Sequence, residues 1–389
     1  MPAFQLLRQK APILNYFFLK DQQMKISFKD LLLEPLWEKI RNHERLSTED
    51  ALTLYASEDL KGIGVMANEV RKRMHGDVAT YVFNRYINYA NLCILTCQFC
   101  AFSAKKRDPH AFEIAIPEVV AVTKEAWEEG STEIHMVGGL HPSLPASWYL
   151  ELLREMKKVA PKIKIKAFTA IEIRHLAKRI FKKSILETLY LLREAGLDAL
   201  TGGGAEIFDP IVRDQICRGK ETAEEWLEVH RVWHQMGMKS TATMLYGHIE
   251  TPAHRVDHLR RLRELQDETR GFTGFIPYAF VPETTELAHI VPVAPEENLK
   301  NLAIARLFLD NFDHITAYWI SMGLETAAAA LHYGVDDLHG TIKEEKIFHM
   351  AGAKTPQEQS VQAFEEVIRK AGREPYQRDT FYQLVVRGS

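Results

Sequence analysis

From Tyr81 onward, short apolar runs alternate with longer amphipathic segments. Each run has the length of a buried strand, and each longer segment repeats apolar residues every three or four positions, as a helix does. Such alternation is typical of βα units around a parallel sheet. The predicted strands are 81–87, 133–137, 163–168, 197–200, 240–245, 272–276 and 315–320, and the predicted helices are 117–129, 146–159, 185–195, 223–236, 252–268 and 295–311. We therefore predict an α/β fold, a TIM-type (βα) barrel that is full or partial.

Helical patterns flank this alternating region on both sides. Between Phe28 and His75 the pattern is helical, and Ser47 with Asp50 three residues later resembles a capping box. Beyond Gly323 the pattern is helical again, and we expect this tail to close one side of the barrel. The predicted division is 1–78 for an N-terminal extension and helices, 79–322 for the barrel, and 323–389 for a C-terminal helical segment.

Charge and composition narrow the class of protein. The chain of 389 residues carries 49 basic and 52 acidic residues, a formal net charge of −3, so we expect neither nucleic acid nor a membrane surface as its partner. The apolar run at 11–19 is too short to span a bilayer, and we interpret it as a surface extension. Four cysteines are too few for a disulfide framework, which favours a reducing, cytoplasmic location.

Three of the four cysteines, Cys93, Cys97 and Cys100, stand in one short stretch after the first predicted strand. Thiolates at this spacing can converge on one metal centre. Structural zinc takes four protein ligands, and Cys217 lies far along the chain. A cubane cluster held by three thiolates leaves one iron free for a ligand that is not protein. Ligand count therefore favours an iron–sulfur cluster, with a zinc knuckle or a chance group of buried cysteines as the alternative.

Polar or glycine-rich stretches follow the predicted strands directly. In a parallel barrel these stretches share the C-terminal rim, where active sites lie. Gly138 and Gly139 would let the backbone approach a ligand closely. The glycine run 202–204 with Glu206 fits a wall against a ribose or planar group better than a phosphate cradle, because the lysine of a P-loop is missing.

Several other side chains are candidates by position alone. His135, His141 and His248 stand near predicted strand ends, although an isolated histidine more often has a structural role. Aromatic residues, Tyr278 among them, could line a pocket for an aryl ring, although core packing is the default for such residues.

The cysteine stretch resembles that of the radical S-adenosylmethionine (SAM) superfamily, with three cysteines spaced Cys-x-x-x-Cys-x-x-Cys and an aromatic residue before the last. The resemblance implies a full or partial βα barrel and a 4Fe-4S cluster whose open iron binds SAM. One electron then cleaves SAM to a 5′-deoxyadenosyl radical. The implied cluster ligands are Cys93, Cys97 and Cys100, and the implied SAM contacts are Phe99, Gly138, Gly139, Thr169, Glu172, Gly203 and Glu206.

Further stretches narrow the resemblance. Those that are similar to the branch of futalosine-pathway enzymes and deazaflavin synthases are 88–93, 99–102, 202–207, 226–230, 242–251 and 264–269. Those that resemble the aminofutalosine synthases within that branch are 133–142, 166–172, 317–319, 336–341 and 349–353. The chain departs from the family at Thr201, where proline is usual, and at Ser103, where an aromatic residue is usual. We expect these departures to alter the shape of the pocket and not the chemistry.

The function that this resemblance implies is a carbon–carbon bond formation. The adenosyl radical adds to the enolpyruvyl double bond of 3-[(1-carboxyvinyl)oxy]benzoate, the aryl group migrates and a carboxylate is lost, giving 6-amino-6-deoxyfutalosine for menaquinone biosynthesis. An electron donor such as flavodoxin or ferredoxin is implied as a partner. An aryl carboxylate favours a bidentate cation, so Arg85 and Arg306 join His141, His248 and Tyr278 as substrate candidates.

Two other functions stay open from the sequence. One is a radical SAM cyclase acting on dehypoxanthine futalosine, which would release free 5′-deoxyadenosine. The other is a non-catalytic iron–sulfur or zinc protein, which would bind no SAM.

Overall fold

The computed structural model describes residues 27–385, so the predicted surface extension at 11–19 lies outside the described residues. The described strands are β1 (Val78–Val82), β2 (Asn84–Ile87), β3 (Glu133–Met136), β4 (Lys164–Ala167), β5 (Ala199–Leu200), β6 (Lys239–Tyr246), β7 (Phe272–Ala279), β8 (Asp337–Gly340) and β9 (Glu374–Arg378). Strands β2 to β7 form one parallel sheet in chain order, and β8, β1 and β9 form a second, with β1 in the middle.

Two single-residue bridges join these sheets into a ring. Phe275 of β7 pairs in parallel with Ile315, and Thr316 pairs with Asp337 of β8. Strand β8 pairs with β1, and only Phe83 separates β1 from β2. The strands therefore close on themselves, and the predicted α/β barrel is confirmed.

Helices alternate with the strands along the chain, as predicted. The predicted strand 315–320 was wrong, because only Ile315 and Thr316 form bridges and a helix begins at Trp319. The N-terminal helices are α1 (Leu33–Arg41), α2 (Thr48–Ala56) and α3 (Leu60–His75). Those of the barrel are α4 (Ile116–Glu128), α5 (Ala146–Val159), α6 (Ala170–His175), continued by a π-helical turn (Leu176–Phe181), α7 (Ile185–Ala195), α8 (Pro210–Ile216), α9 (Ala223–Gln235), α10 (Pro252–Thr269) and α11 (Pro295–Phe308). The C-terminal helices are α12 (Trp319–Met322), α13 (Leu324–Ala330), α14 (Ile347–Met350) and α15 (Val361–Lys370). None of the helices within 27–385 is both long and apolar enough to cross a membrane.

The N-terminal helices pack against the barrel. Helix α2 begins with the predicted capping box, in which the Ser47 hydroxyl accepts from the Asp50 amide at 3.2 Å and the Asp50 carboxylate accepts from the Ser47 amide at 2.8 Å. At its other end the Tyr55 hydroxyl donates to the Asn301 side chain of α11 at 2.6 Å. The helix is thus fixed at both ends.

The helical expectation for 323–389 was incomplete, because this segment also supplies β8 and β9. Strand β8 closes the barrel, and β9 pairs with β1. Each of these strands buries one charged residue, and Arg378 of β9 donates to both carboxylate oxygens of Asp337 of β8, at 2.6 and 2.9 Å. A strand whose buried side chains are paired charges leaves no apolar run in the sequence. The domain division at 78 and 322 stays a prediction.

Candidate active site

A cavity of about 220 Å³ lies at the C-terminal ends of the barrel strands. Its walls come from the stretches that follow β2, β3, β4 and β5, as expected for a parallel barrel. The predicted residues that line it are Cys93, Cys97, Phe99, Cys100, His135, Gly138, Gly139, Thr169, Gly203, Glu206 and Tyr278. The structure thus brings together most of the side chains that the sequence nominated.

The loop that carries the cysteines is held by its own backbone and by one buried side chain. The Cys93 amide donates to the Ala104 carbonyl at 3.1 Å, and the Ala104 amide donates to the Asn91 carbonyl at 2.9 Å. The Asn91 side chain is fully buried, accepts from the Phe112 amide at 2.8 Å and donates to the His110 carbonyl at 2.9 Å. These hydrogen bonds fix the shape of the loop around Cys93.

The spacing of the three sulfurs argues against zinc. Within residues 27–385, the one group of three histidine, cysteine or acidic side chains whose ligand atoms all lie within 4.8 Å of one another is His75, His314 and Asp336. Three sulfurs on one tetrahedral zinc, with Zn–S bonds near 2.3 Å, would lie about 3.8 Å apart. The cysteine sulfurs are not all so close, whereas a cubane uses a different iron for each thiolate. The residues present therefore fit a cluster better than a single ion.

Cys217 is remote in sequence but not in space, contrary to expectation. The Gln98 amide of the cysteine loop donates to the Ile216 carbonyl at 2.8 Å, which places the end of α8 against that loop. The Cys217 thiol is buried. It is not among the residues that line the cavity, whereas Cys93, Cys97 and Cys100 are, so three thiols face the cavity.

The environment of the cysteine thiols is mostly apolar. Burial raises the pKa of the Cys97 thiol, with the Lys220 charge opposing it, and burial also raises the pKa of the Cys100 thiol. The Leu95 amide donates to the Cys93 sulfur at 3.4 Å. Thiolates here need positive charge beside them, which bound iron would supply.

The glycine pair after β3 leaves space for the backbone of the cysteine loop as well as for a ligand. A Cβ on Gly139 would lie 2.4 Å from the Leu92 carbonyl oxygen, and one on Gly138 would lie 2.9 Å from the Ala90 carbonyl oxygen. The Gly139 amide donates to that same Ala90 carbonyl at 2.8 Å. The missing side chains thus leave room for the backbone next to Cys93.

Glu172 is not among the residues that line the cavity, and its contact with SAM stays a prediction. One of its carboxylate oxygens accepts from the Tyr89 hydroxyl at 2.9 Å and from the Gly138 amide at 3.1 Å. The other accepts from the Thr169 amide and hydroxyl at 2.8 and 2.9 Å, closing the capping box of α6. Burial raises the pKa of Glu172 to about 7. The residue joins two cavity loops, with only Thr169 and Gly138 reaching the cavity wall.

Lys220, which the sequence did not nominate, is the cationic side chain of the cavity wall. Its ammonium group pairs with the Glu206 carboxylate and lies 5.2 Å from the centre of the Phe99 ring. Among the described residues that line the cavity there is no other lysine or arginine. Lys220 stands between α8 and α9, away from any strand end, so no strand-end pattern marked it.

Neither arginine proposed for the substrate lies at the cavity, which corrects both assignments. Arg306 is buried on α11, where it pairs with Asp336 and donates to the Gly334 carbonyl at 2.7 Å. The side chain of Arg85 on β2 points away from the cavity, and its guanidinium group lies 3.0 Å from the Glu344 carboxylate. Period-two alternation sends the neighbouring Tyr86 into the cavity instead.

His141 and His248 are also outside the cavity lining. The Nδ1 atom of His141 accepts from the Ser143 and Leu144 amides, and its Nε2 lies 2.7 Å from the Glu113 carboxylate. His248 is held by Glu250, with 3.0 Å between Nδ1 and a carboxylate oxygen. Both histidines have the structural role that isolated histidines usually have.

Comparison with known proteins agrees with this geometry. Residues 87–262 match the radical SAM superfamily, and residues 269–387 match the CofH/MqnC C-terminal region. An aminodeoxyfutalosine synthase of Thermus thermophilus is 45% identical over 92% of this chain and 97% of its own, and one of Streptomyces coelicolor is 42% identical over 91% and 94%. A cyclic dehypoxanthine futalosine synthase of Streptomyces coelicolor is 38% identical over 91% of this chain and 89% of its own.

Solved structures support the fold. Methylornithine synthase superposes with a TM-score of 0.69 at 17% identity, covering 87% of this chain and 97% of its own. Together with the full-length sequence matches, this confirms the predicted family. The chain belongs to the radical SAM superfamily, in the family that contains the aminodeoxyfutalosine synthases.

Proposed function

We propose that this protein is a radical SAM aminodeoxyfutalosine synthase that joins the adenosyl group of SAM to 3-[(1-carboxyvinyl)oxy]benzoate. One observation carries the proposal. The cavity that holds the three cysteines at its rim is lined on its other sides by the rings of Tyr86, Tyr278, Tyr318 and Phe348. An enzyme that adds an adenosyl radical to an aryl ether needs a cluster site for SAM and an aromatic pocket for the ether in the same cavity.

The cysteines would hold a 4Fe-4S cluster, with SAM as the ligand of its open iron. When bound, the cluster supplies the electron that cleaves the sulfonium of SAM to methionine and a 5′-deoxyadenosyl radical. The residues that line the same cavity and would contact SAM are Phe99, Gly138, Gly139, Thr169, Gly203 and Glu206. Glu172 would act behind them by fixing Gly138 and Thr169.

The bond changes balance without an external oxidant. The 5′-carbon radical adds to the terminal carbon of the enolpyruvyl double bond, which leaves a radical on the carbon that bears the ether oxygen. That carbon attacks the ring carbon attached to the oxygen, and the aryl group moves from oxygen to carbon. In the resulting alkoxyl radical the bond to the carboxylate breaks, which gives the ketone, carbon dioxide and one electron. That electron would return to the oxidised cluster, so no net oxidant is consumed.

The cavity wall suits a reactive carbon radical. A primary radical attacks what it touches, so the acceptor must be held at contact distance and water kept out. The aromatic lining is packed, with the Tyr278 and Tyr318 rings 4.8 Å apart at 71° and Phe348 within 5.5 Å of each. An electron donor such as flavodoxin or ferredoxin, and the reducing cytoplasm where such carriers work, belong to the same proposal.

The test is an anaerobic assay of the reconstituted protein with dithionite, SAM and 3-[(1-carboxyvinyl)oxy]benzoate, read by mass spectrometry. A product with adenosine joined to the aryl unit, less one carboxylate, would establish the synthase. Release of 5′-deoxyadenosine without that adduct would refute it and favour the cyclase. No cleavage of SAM by a protein with an intact cluster would refute radical SAM activity altogether.

A further inference from the structure

The cavity has too few cations for the substrate that we propose. That substrate carries two carboxylates, and Lys220, the cation of the described cavity lining, is already paired with Glu206. A carboxylate in an apolar cavity must then be met by neutral hydrogen-bond donors, which also stabilise a charged acceptor. This inference rests on the proposed function.

His135 is a neutral donor without a partner in this cavity. Its ring lies parallel to that of Tyr86, with the centres 4.3 Å apart and 10° between the planes, and its side chain is only 6% exposed. Nδ1 is buried and has no hydrogen-bond partner among residues 27–385. A buried polar group without a hydrogen bond is unfavourable unless a ligand supplies the bond.

Other buried histidines of the chain differ from His135 in this respect. His258, for example, is fully buried and stacks on Phe208, with 3.9 Å between the ring centres. Its Nδ1 is unpartnered like that of His135, but its Nε2 bonds to the Thr243 carbonyl at 2.9 Å. His258 does not line the cavity. The unpartnered ring thus coincides with the place where a ligand can reach it.

The groups around His135 keep it uncharged. Burial and the nearby Lys166 ammonium lower the pKa of His135 to about 3, with Glu133 opposing them. Lys166 and Glu133 are themselves buried and paired at 2.9 Å. At neutral pH the imidazole therefore carries one N–H and offers it without a charge of its own.

The position of His135 selects which end of the substrate it meets. Tyr86 and its strand partner His135 lie on the strands, whereas the cysteines lie in the loop beyond the end of β2. The cavity therefore extends from the cysteines at the rim down to these two rings. The vinyl carbon must face the 5′-carbon of SAM near the rim, so the aryl ring and its carboxylate point inward.

We propose that His135 donates a hydrogen bond to the aryl carboxylate of the substrate and so selects substrates that carry it. The rings of Tyr86, Tyr278 and Tyr318 enclose the arene beside it. His135 thereby binds the carboxylate as an arginine would in a more polar site.

The test compares two substrates in two enzymes. The substrates are 3-[(1-carboxyvinyl)oxy]benzoate and the phenyl analogue that lacks the ring carboxylate, and the enzymes are the wild-type holoenzyme and His135→Phe, which keeps the stack on Tyr86. A hydrogen bond to a charged group predicts that the wild type prefers the benzoate in kcat/KM by roughly 10- to 100-fold. His135→Phe should lose most of that preference, chiefly by reacting more slowly with the benzoate.

Two further variants keep the result interpretable. His135→Gln retains an N–H donor and should recover part of the preference, which also covers the case that His135→Phe folds poorly. His258→Phe removes a buried, stacked histidine outside the cavity and should keep the wild-type preference. The dissociation constant of each substrate for the oxidised holoenzyme with SAM, measured by calorimetry, should follow the same order without turnover.

Two outcomes would overturn the inference, and they are distinguishable. If the wild type makes the adduct but both His135 variants keep its full preference for the benzoate, His135 does not contact the carboxylate and the proposed function stands. If the wild type cleaves SAM but makes no adduct from the benzoate, the proposed function fails and this inference fails with it.

Discussion

Replacing Gly139 with alanine should prevent the cysteine loop from holding a cluster. The added methyl group would lie 2.4 Å from the carbonyl oxygen and 2.8 Å from the carbonyl carbon of Leu92, the residue before Cys93. Both are backbone atoms and cannot rotate away. The change therefore acts directly on the position of a cluster ligand.

The magnitude follows from the distances. Ordinary contact with a Cβ begins at 3.4 Å, so Leu92 would have to move by about 1 Å. Over-packing of this kind costs about 1–3 kcal/mol. The backbone of Gly139 is not left-handed, so alanine adds no conformational strain and the effect is steric. A displacement of this size beside Cys93 should lower the iron bound after reconstitution to a small fraction of the wild-type amount.

The assay measures iron content and cluster absorbance after anaerobic reconstitution, then cleavage of SAM. The matched control is Gly237→Ala, because Gly237 has a left-handed φ of 78° and no atom within 4 Å of the added methyl group. This control should lose about 1 kcal/mol of stability through its backbone and bind iron normally. The reasoning would be refuted if Gly139→Ala bound as much iron as the control and cleaved SAM at the same rate.

Three further predictions concern residues outside the cavity. Arg306→Met should lower the free energy of unfolding by about 3 kcal/mol, the lower end of the cost of breaking a buried pair, because Asp336 loses its arginine but keeps His314 at 2.6 Å and His75 at 3.7 Å. Urea unfolding with less than 1 kcal/mol of loss would contradict this. Arg85→Ala should leave the KM for the aryl substrate unchanged, and a clear rise would return Arg85 to the site. Burial lowers the pKa of His258 to about 3, so the unfolded chain takes up a proton near pH 6.5 that the folded chain does not. On going from pH 7.5 to 5.5 the wild type should therefore lose about 1.4 kcal/mol more stability than His258→Phe, and parallel losses in urea unfolding would contradict this assignment.

The sequence by itself determined the barrel and the side chains at its rim. Apolar runs alternating with helical segments, each run ending in a polar or glycine-rich stretch, predict a parallel barrel with one functional face, because the C-terminal ends of parallel strands meet. The helices 146–159 and 185–195 appear at the predicted residues. Cys93, Cys97 and Cys100 were recognisable because their spacing is a local property of the chain.

Tertiary structure alone decided which charged groups face the cavity. Lys220 reaches Phe99 and Glu206 from the connection between α8 and α9, which no local pattern relates to the cysteine loop. The sequence nominated Arg306 as a substrate contact, but in the structure it is buried and paired with Asp336, 30 residues away. A charged side chain interacts most strongly with groups within a few ångströms, and those groups come from distant parts of the chain.

The same reason explains the missed strands and the role of His135. Strand β8 closes the barrel although it buries Asp337 and His339 beside Leu338, since Asp337 is paired with Arg378. His135 was one histidine among several until the structure showed which of them have hydrogen-bond partners. Hydrophobic periodicity can be read from residues that are close in sequence, whereas the pairing of buried polar groups is fixed only when the chain has folded.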